Sequence, residues 1–143
     1  MPQIRKMTEA DLDRIAEIAA SAFTKPWSRR AFADALLMDN TCFLLAEEEG
    51  CILGYCGLYM AADEGEIINV AVESEYRGQG IGDLLLTALL EEGIRNGIEH
   101  FFLEVRVSNT AAIHLYEKHG FIRQGIRKDY YQETHEDAYC MCR

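Results

Sequence analysis

Six consecutive residues, Arg77-Gly78-Gln79-Gly80-Ile81-Gly82, carry the spacing with the most chemical content in the chain. They follow the apolar run Ile67-Ile68-Asn69-Val70-Ala71-Val72 and precede a helical pattern of Leu84, Leu85, Ala88 and Leu89. A strand, a glycine-rich turn and a helix start bring unpaired backbone N–H groups together, and the helix dipole adds partial positive charge. Such a place suits phosphate or pyrophosphate. The dinucleotide fingerprint needs glycine at its first, third and sixth positions, and the sixth position counted from Gly78 is Asp83. The nucleoside-triphosphate loop needs Lys and then Ser or Thr after its last glycine, but Asp83 and Leu84 follow Gly82. What remains is another phosphate-bearing ligand, or a tight strand-to-helix turn with no ligand at all.

Other reactive residue types are less informative. The five cysteines, Cys42, Cys51, Cys56, Cys140 and Cys142, are odd in number and fit neither a disulfide framework nor a zinc pattern. They read as reduced, mostly buried small apolar residues, with no metal site expected. His114 and His119 read as helix-surface imidazoles rather than catalytic bases. The net charge of −10 disfavours a nucleic-acid backbone as partner and suits an amine or a basic peptide, although acidity also serves solubility. No apolar span is long enough for a membrane helix, and Met1 to Glu17 lacks a secretory apolar core. The expectation is a soluble, cytoplasmic protein.

The elements that must position these residues follow from periodicity. Pro2 to Met7 reads as a strand. Thr8-Glu9-Ala10-Asp11 resembles a capping box and starts a helix with Leu12, Ile15, Ala16, Ala19, Ala22 and Phe23 on one face. Pro26 ends that region. Ser28 caps a second helix with Phe32, Leu36 and Leu37 inward. Thr41–Glu47 and Cys51–Met60 read as a hairpin, and Asp63-Glu64-Gly65 turns into a strand over Glu66–Val72. A helix over Ile81–Asn96 stops at Gly97. A strand over Phe101–Val107 is followed by a helix capped at Ser108 or Asn109 and ended by Gly120, then by strands over Phe121–Arg127 and Glu136–Cys142. With 143 residues, 49% of them hydrophobic, and no linker or repeat, this is a single mixed α/β domain over residues 1–143. Its sheet should be largely antiparallel, with a parallel strand-helix-strand unit from Glu66 to Val107.

This pattern resembles the GCN5-related N-acetyltransferase (GNAT) family, whose loop is Arg or Gln, two residues, Gly, one residue, then Gly or Ala. Arg77, Gly80 and Gly82 fit it, and the element order matches nearly end to end. The segment Leu103 to Tyr116, LEVRVSNTAAIHLY, is similar to the signature of the RimI-type ribosomal-protein alanine N-acetyltransferases. Pro26-Trp27-Ser28 with Phe32 resembles that group too, as does Tyr130-Tyr131 followed by Glu136-Asp137-Ala138 and Met141. His114 and Thr110 depart from it, standing where small apolar residues are common. The resemblance implies the acyl-CoA N-acyltransferase fold, a mostly antiparallel sheet of about seven strands with about four helices. It implies acetyl-CoA as co-substrate and the N-terminal amine of a small-subunit ribosomal protein as acceptor.

It also assigns roles. Residues Arg77, Gly78, Gln79, Gly80, Ile81 and Gly82 would hold the pyrophosphate, and Val70, Ala71 and Val72 would present backbone groups to the pantetheine. Asn109 would cap its helix and meet the cofactor arm. Glu104 takes the general-base role. Strand alternation sets it opposite Leu103 and Val105, where it could equally be a surface glutamate paired with Arg106. Tyr116 takes the acid role beside the thioester sulfur, and would otherwise be a core aromatic. Trp27, Tyr130 and Tyr131 could line a peptide groove or sit in the core; Tyr130 and Tyr131 cannot both face inward from a regular strand.

The amine must be neutral to attack. A terminal α-amine has a reference pKa of about 7.7–8.0 and lysine about 10.4, so lysine costs roughly 3.5 kcal/mol more to deprotonate. A terminal amine thus needs only a modest base. Two other readings compete: acetylation of a small amine such as a polyamine or aminoglycoside, and a non-catalytic CoA-binding sensor on the same fold.

Overall fold

Alternating apolar strands and amphipathic helices build one seven-stranded sheet with helices on both faces. The computed structural model describes all residues, Met1–Arg143. The elements are β1 (Gln3–Lys6), α1 (Leu12–Ala22), α2 (Arg29–Leu36), β2 (Thr41–Glu48), β3 (Cys51–Ala61), β4 (Glu64–Val72), α3 (Ile81–Arg95), β5 (His100–Arg106), α4 (Thr110–Lys118), β6 (Ile122–Tyr131) and β7 (Glu136–Cys142). The sheet order is β1-β2-β3-β4-β5-β7-β6, and only β4 and β5 run parallel.

On one face, Leu85, Leu86 and Leu89 of α3 and Ile113 of α4 pack with Leu44, Leu58 and Leu103. On the other, Leu12, Ile15 and Ile18 of α1 and Phe32 of α2 pack with Leu45 and Tyr55. Each such side chain contributes about 1.5–3 kcal/mol when fully buried. Before α1, a 3-10 turn at Glu9–Asp11 carries the expected cap: the Asp11 carboxylate accepts from the Thr8 backbone N–H at 2.8 Å.

The feature that makes a site is a parting of the sheet. Strand β4 pairs with β5 only through Glu64, Gly65 and Glu66, opposite His100, Phe101 and Phe102. Beyond that, Asn69 to Val72 stay with β3 and Leu103 to Arg106 stay with β7. Ile68 is an extra residue opposite Gly57 and Leu58, a bulge that bends β4 where the two strands separate. One backbone edge of β4 is thereby left without a strand partner.

Four expectations need correction. Strand β4 starts at Glu64, because the turn is Ala62-Asp63. Strand β6 runs on to Tyr131. Leu37 is 85% exposed, because α2 ends at Leu36 and the next residue turns out of the helical stripe. Cys51 is exposed at the first position of β3, beside the hairpin turn, while Cys42 and Cys56 are buried and Cys140 and Cys142 half-buried.

Candidate active site

The glycine loop lies between β4 and α3, where the sequence put it. Gly78 and Gly80 have φ of +79° and +81°, and a Cβ on either would meet nothing within 4 Å. Glycine is required there by backbone conformation, since the left-handed region is costly for other residues. The loop is therefore an open concave turn at the α3 N-terminus. Gly82 faces inward, with a Cβ position 3.3 Å from Leu115. Arg77 ties the loop down, its Nε donating to the Val72 carbonyl at 3.0 Å.

This loop forms one end of a cavity of about 410 Å³ lined by Val70, Ala71, Val72, Arg77, Gly78, Gly80, Ile81, Gly82, Asn109 and Tyr116, among others. Gln79 stands exposed beside it and is not on its wall. The donor set fits a pyrophosphate followed by an extended amide-bearing arm. The open backbone at the helix N-terminus suits the anion, and the unpaired edge of β4 suits an added strand.

A second cavity, about 600 Å³, opens on the other side of the parting. Its wall includes Trp27, Glu66, Asn69, Glu104, Arg106, Tyr130, Tyr131 and Glu133. Ala22, Phe23, Val70, Asn109, Ala112 and Tyr116 line both cavities and mark the junction, with Asn109 and Tyr116 its polar side chains.

Tyr116 reconciles its two readings. It is 6% exposed and packs edge-on against Phe121 with ring centroids 5.7 Å apart. Its hydroxyl has no protein partner, yet no buried side-chain polar atom in the structure lacks one. The oxygen must therefore open onto the junction while the ring sits in the core. Burial pushes the phenol above its ordinary pKa, so the group stays protonated and acts as a hydrogen-bond donor.

Glu104 is half-buried on β5, with Leu103 and Val105 buried on the opposite face. It is not paired with Arg106. Arg106 instead donates to Glu133 at 2.6 Å and to Glu136 at 3.3 Å, and no cation lies within ion-pair distance of Glu104. Its one protein hydrogen bond is a long one from the Tyr130 hydroxyl, 3.4 Å. A carboxylate left this free can accept a proton from an incoming amine or from a bridging water.

Asn109 caps α4 through its side-chain oxygen, which accepts from the Ala112 N–H at 3.1 Å. That leaves its amide nitrogen for a ligand. Tyr130 and Tyr131 are neighbours in sequence yet both line the second cavity, ring centroids 5.1 Å apart. An irregularity between Arg127 and Tyr131, with Asp129 at φ +52°, breaks the alternation that would have split them. Trp27 also serves both expectations. It packs on Phe32 at 5.3 Å and Phe43 at 5.9 Å, and its remaining surface lines the cavity. Asn69, polar amid apolar neighbours, accepts from the Tyr55 hydroxyl at 2.9 Å. His114 is the exposed helix-surface imidazole expected, whereas His119 is half-buried at the end of α4, its Nε2 2.9 Å from Asp83 Oδ1.

Sequence reasoning missed Glu66 and the Arg106 network. Glu66 marks the end of the β4–β5 pairing and lines the second cavity. Its burial and the nearby charge of Glu104 raise its pKa. No periodicity could reveal it, since its position matters only once the strands part.

Comparison with known proteins places the chain by sequence and fold. The acetyltransferase (GNAT) family model matches residues 12–121. A Bacillus subtilis protein provisionally named as a ribosomal protein bS18-alanine N-acetyltransferase is 40% identical, the alignment covering 96% of this chain and 92% of that protein. The Escherichia coli ribosomal protein bS18-alanine N-acetyltransferase is 36% identical over 99% of this chain and 96% of its own length. The crystal structure of the ribosomal-protein-S18-alanine N-acetyltransferase from Escherichia coli superposes with a TM-score of 0.90 and 33% identity, covering 99% of this chain and 92% of that one.

Proposed function

Since the chain belongs to the acetyltransferase (GNAT) family, we propose that it transfers the acetyl group of acetyl-CoA to the N-terminal α-amine of a ribosomal protein, bS18 or its equivalent, with alanine as the terminal residue. The observation that carries this reading is the junction at Val70, Asn109 and Tyr116, where a phosphate-and-amide cavity meets a peptide-sized acidic one. The names and near-complete coverage of the relatives support the acceptor.

Acetyl-CoA supplies a thioester carbonyl at the junction. The loop from Gly78 to Gly82 holds its pyrophosphate through backbone N–H groups, and the β4 edge pairs with its arm. Glu104 takes the proton that the attacking amine must lose, directly or through water. The Tyr116 hydroxyl donates a hydrogen bond to the departing sulfur. With a reference phenol pKa of about 10 against about 8.5 for a thiol, and the phenol raised further by burial, donation without early full transfer is the favoured course. A protein acting on ribosomal proteins works in the cytoplasm.

The test is acetylation of a peptide that copies the free N-terminus of bS18, followed as a mass gain of one acetyl group. A peptide with a blocked terminus should give no product. Product persisting on internal lysines would remove the α-amine assignment, and turnover of free polyamines at comparable efficiency would favour the small-amine reading.

A further inference from the structure

Glu66 stands between two cavities. On one side it borders the acidic cleft that holds Glu104. On the other it borders a third, largely apolar cavity of about 430 Å³, whose wall includes Trp27, Met38, Tyr59 and Ile68. Trp27, Glu66, Ile68 and Asn69 line both, so the third cavity continues the cleft away from the junction. Tyr59 is 38% exposed and Met38 45%, so this wall is open to solvent.

The charge is unbalanced here. Neither Glu66 nor Glu104 has a cation within ion-pair distance, and the cations on the cleft wall are committed elsewhere. Arg106 is held by Glu133 and Glu136, and Lys25 lies 3.9 Å from Glu133. A half-buried carboxylate beside a second one favours an incoming positive charge. An apolar pocket with a single acid at its rim fits a long side chain that is aliphatic along its stem and cationic at its tip. Trp27 and Tyr59 add aromatic faces that a guanidinium or ammonium can stack on.

Register gives the reach. Glu66 sits beside Phe102, two residues along β5 from Glu104, which places their Cα atoms about 8 Å apart. An extended acceptor advances only about 3.5 Å per residue. From the second residue of an acceptor whose amine lies at Glu104, the gap to Glu66 is spanned by a long side chain alone.

We infer that Glu66 and the Trp27–Tyr59–Ile68 pocket form a specificity subsite for an arginine or lysine at the second position of the acceptor. This deepens the reading above and rests on it. It assigns Glu66 to acceptor selection, separate from the proton transfer at Glu104.

The test measures kcat/KM for three peptides that share an N-terminal alanine and differ only at position two: arginine, alanine or glutamate. The wild type should prefer arginine over alanine by roughly tenfold, with glutamate poorest. In Glu66→Gln the arginine-to-alanine ratio should fall to about threefold or less. In Glu66→Lys the order of arginine and glutamate should reverse. The readout is a ratio within one variant, so a general loss of activity does not imitate it. Acetylation with the same ratio in wild type and Glu66→Gln would overturn the subsite alone. Absence of acetylation at the terminus of every peptide would overturn the acceptor assignment, and the subsite with it.

Discussion

The guanidinium of Arg106 lies 3.9 Å from the centre of the Tyr131 ring, and its Nη2 donates to Thr24 and to Glu133, each at 2.6 Å. Thr24 follows α1 and Glu133 lies between β6 and β7, so one side chain spans the acidic cleft from both walls and fixes an aromatic on it. Arg106→Ala should raise the peptide KM about tenfold, the loss of a stacked and hydrogen-bonded cation. The acetyl-CoA KM should be unchanged, because Arg106 is not on the other cavity's wall. Arg106→Lys should recover little, having no planar fork. Equal changes in both KM values would show a general fold defect instead.

Glu104→Gln should lower kcat on the order of a hundredfold, the lower range for loss of a positioned base. The wild-type rate should rise with pH as the acceptor amine, with a reference pKa of about 7.7–8.0, becomes neutral. In the variant the same one-proton dependence should persist at the lower level, since the neutral amine remains the attacking form. Rates measured from pH 6 to 9 on the bS18-like peptide check both points; a variant rate within about twofold of wild type would remove the assignment.

Tyr116→Phe should lower kcat by roughly tenfold, the value of one hydrogen bond to a charged group, while leaving both KM values near wild type. Burial raises the pKa of this phenol, so its loss should not move the alkaline side of the pH profile. A shift of that limb in the variant would mean that Tyr116 ionises during turnover.

Much of this site was legible because it rests on local rules. Gly78 and Gly80 announce a left-handed turn, Asn109 announces a cap, and alternation alone orients Glu104. What spacing and alternation could not show has non-local causes. Tyr130 and Tyr131 share a wall because an irregular register in the β6–β7 pair defeats alternation. Glu66 becomes a site residue because the bulge at Ile68 parts β4 from β5. The alternative pairing of Glu104 with Arg106, two positions away on the same strand, fails because Glu133 in the β6–β7 loop and Glu136 at the start of β7 hold Arg106 instead. Leu37 failed by one residue, at a helix end, where a single position decides which face is solvated.

Gly80→Ala should separate binding from chemistry at the loop. The residue's φ of +81° costs an L-residue about 1–2 kcal/mol, and relaxing it turns the loop N–H groups away from the anion. The acetyl-CoA Kd by calorimetry should rise about tenfold, with kcat at saturating acetyl-CoA little altered. Gly82→Ala tests crowding instead, since its Cβ position lies 3.3 Å from Leu115; it should lower thermal stability more than it weakens binding. Unchanged Kd in Gly80→Ala would mean that the loop is a turn and nothing more.

Asp11 should set the acid limit of the fold. Its carboxylate receives both Nη groups of Arg5 at 2.9 Å and the Thr8 backbone N–H at 2.8 Å, which lowers its pKa to about 2, chiefly through the Arg5 hydrogen bonds. The unfolded value is near the ordinary 3.9. A group whose folded pKa lies below its unfolded one contributes stability above the unfolded value and loses it as pH falls toward the folded one. Stability should therefore hold down to about pH 5 and decline toward pH 2. The Asp11 side chain is 9% exposed and that of Arg5 36%, so screening reduces the contribution to about 1–2 kcal/mol. Asp11→Asn should lower the denaturation midpoint at pH 7 and flatten this decline, because the amide cannot titrate. Denaturant titrations at pH 7 and pH 3 measure it, and wild-type and variant curves that fall in parallel would place the acid sensitivity elsewhere.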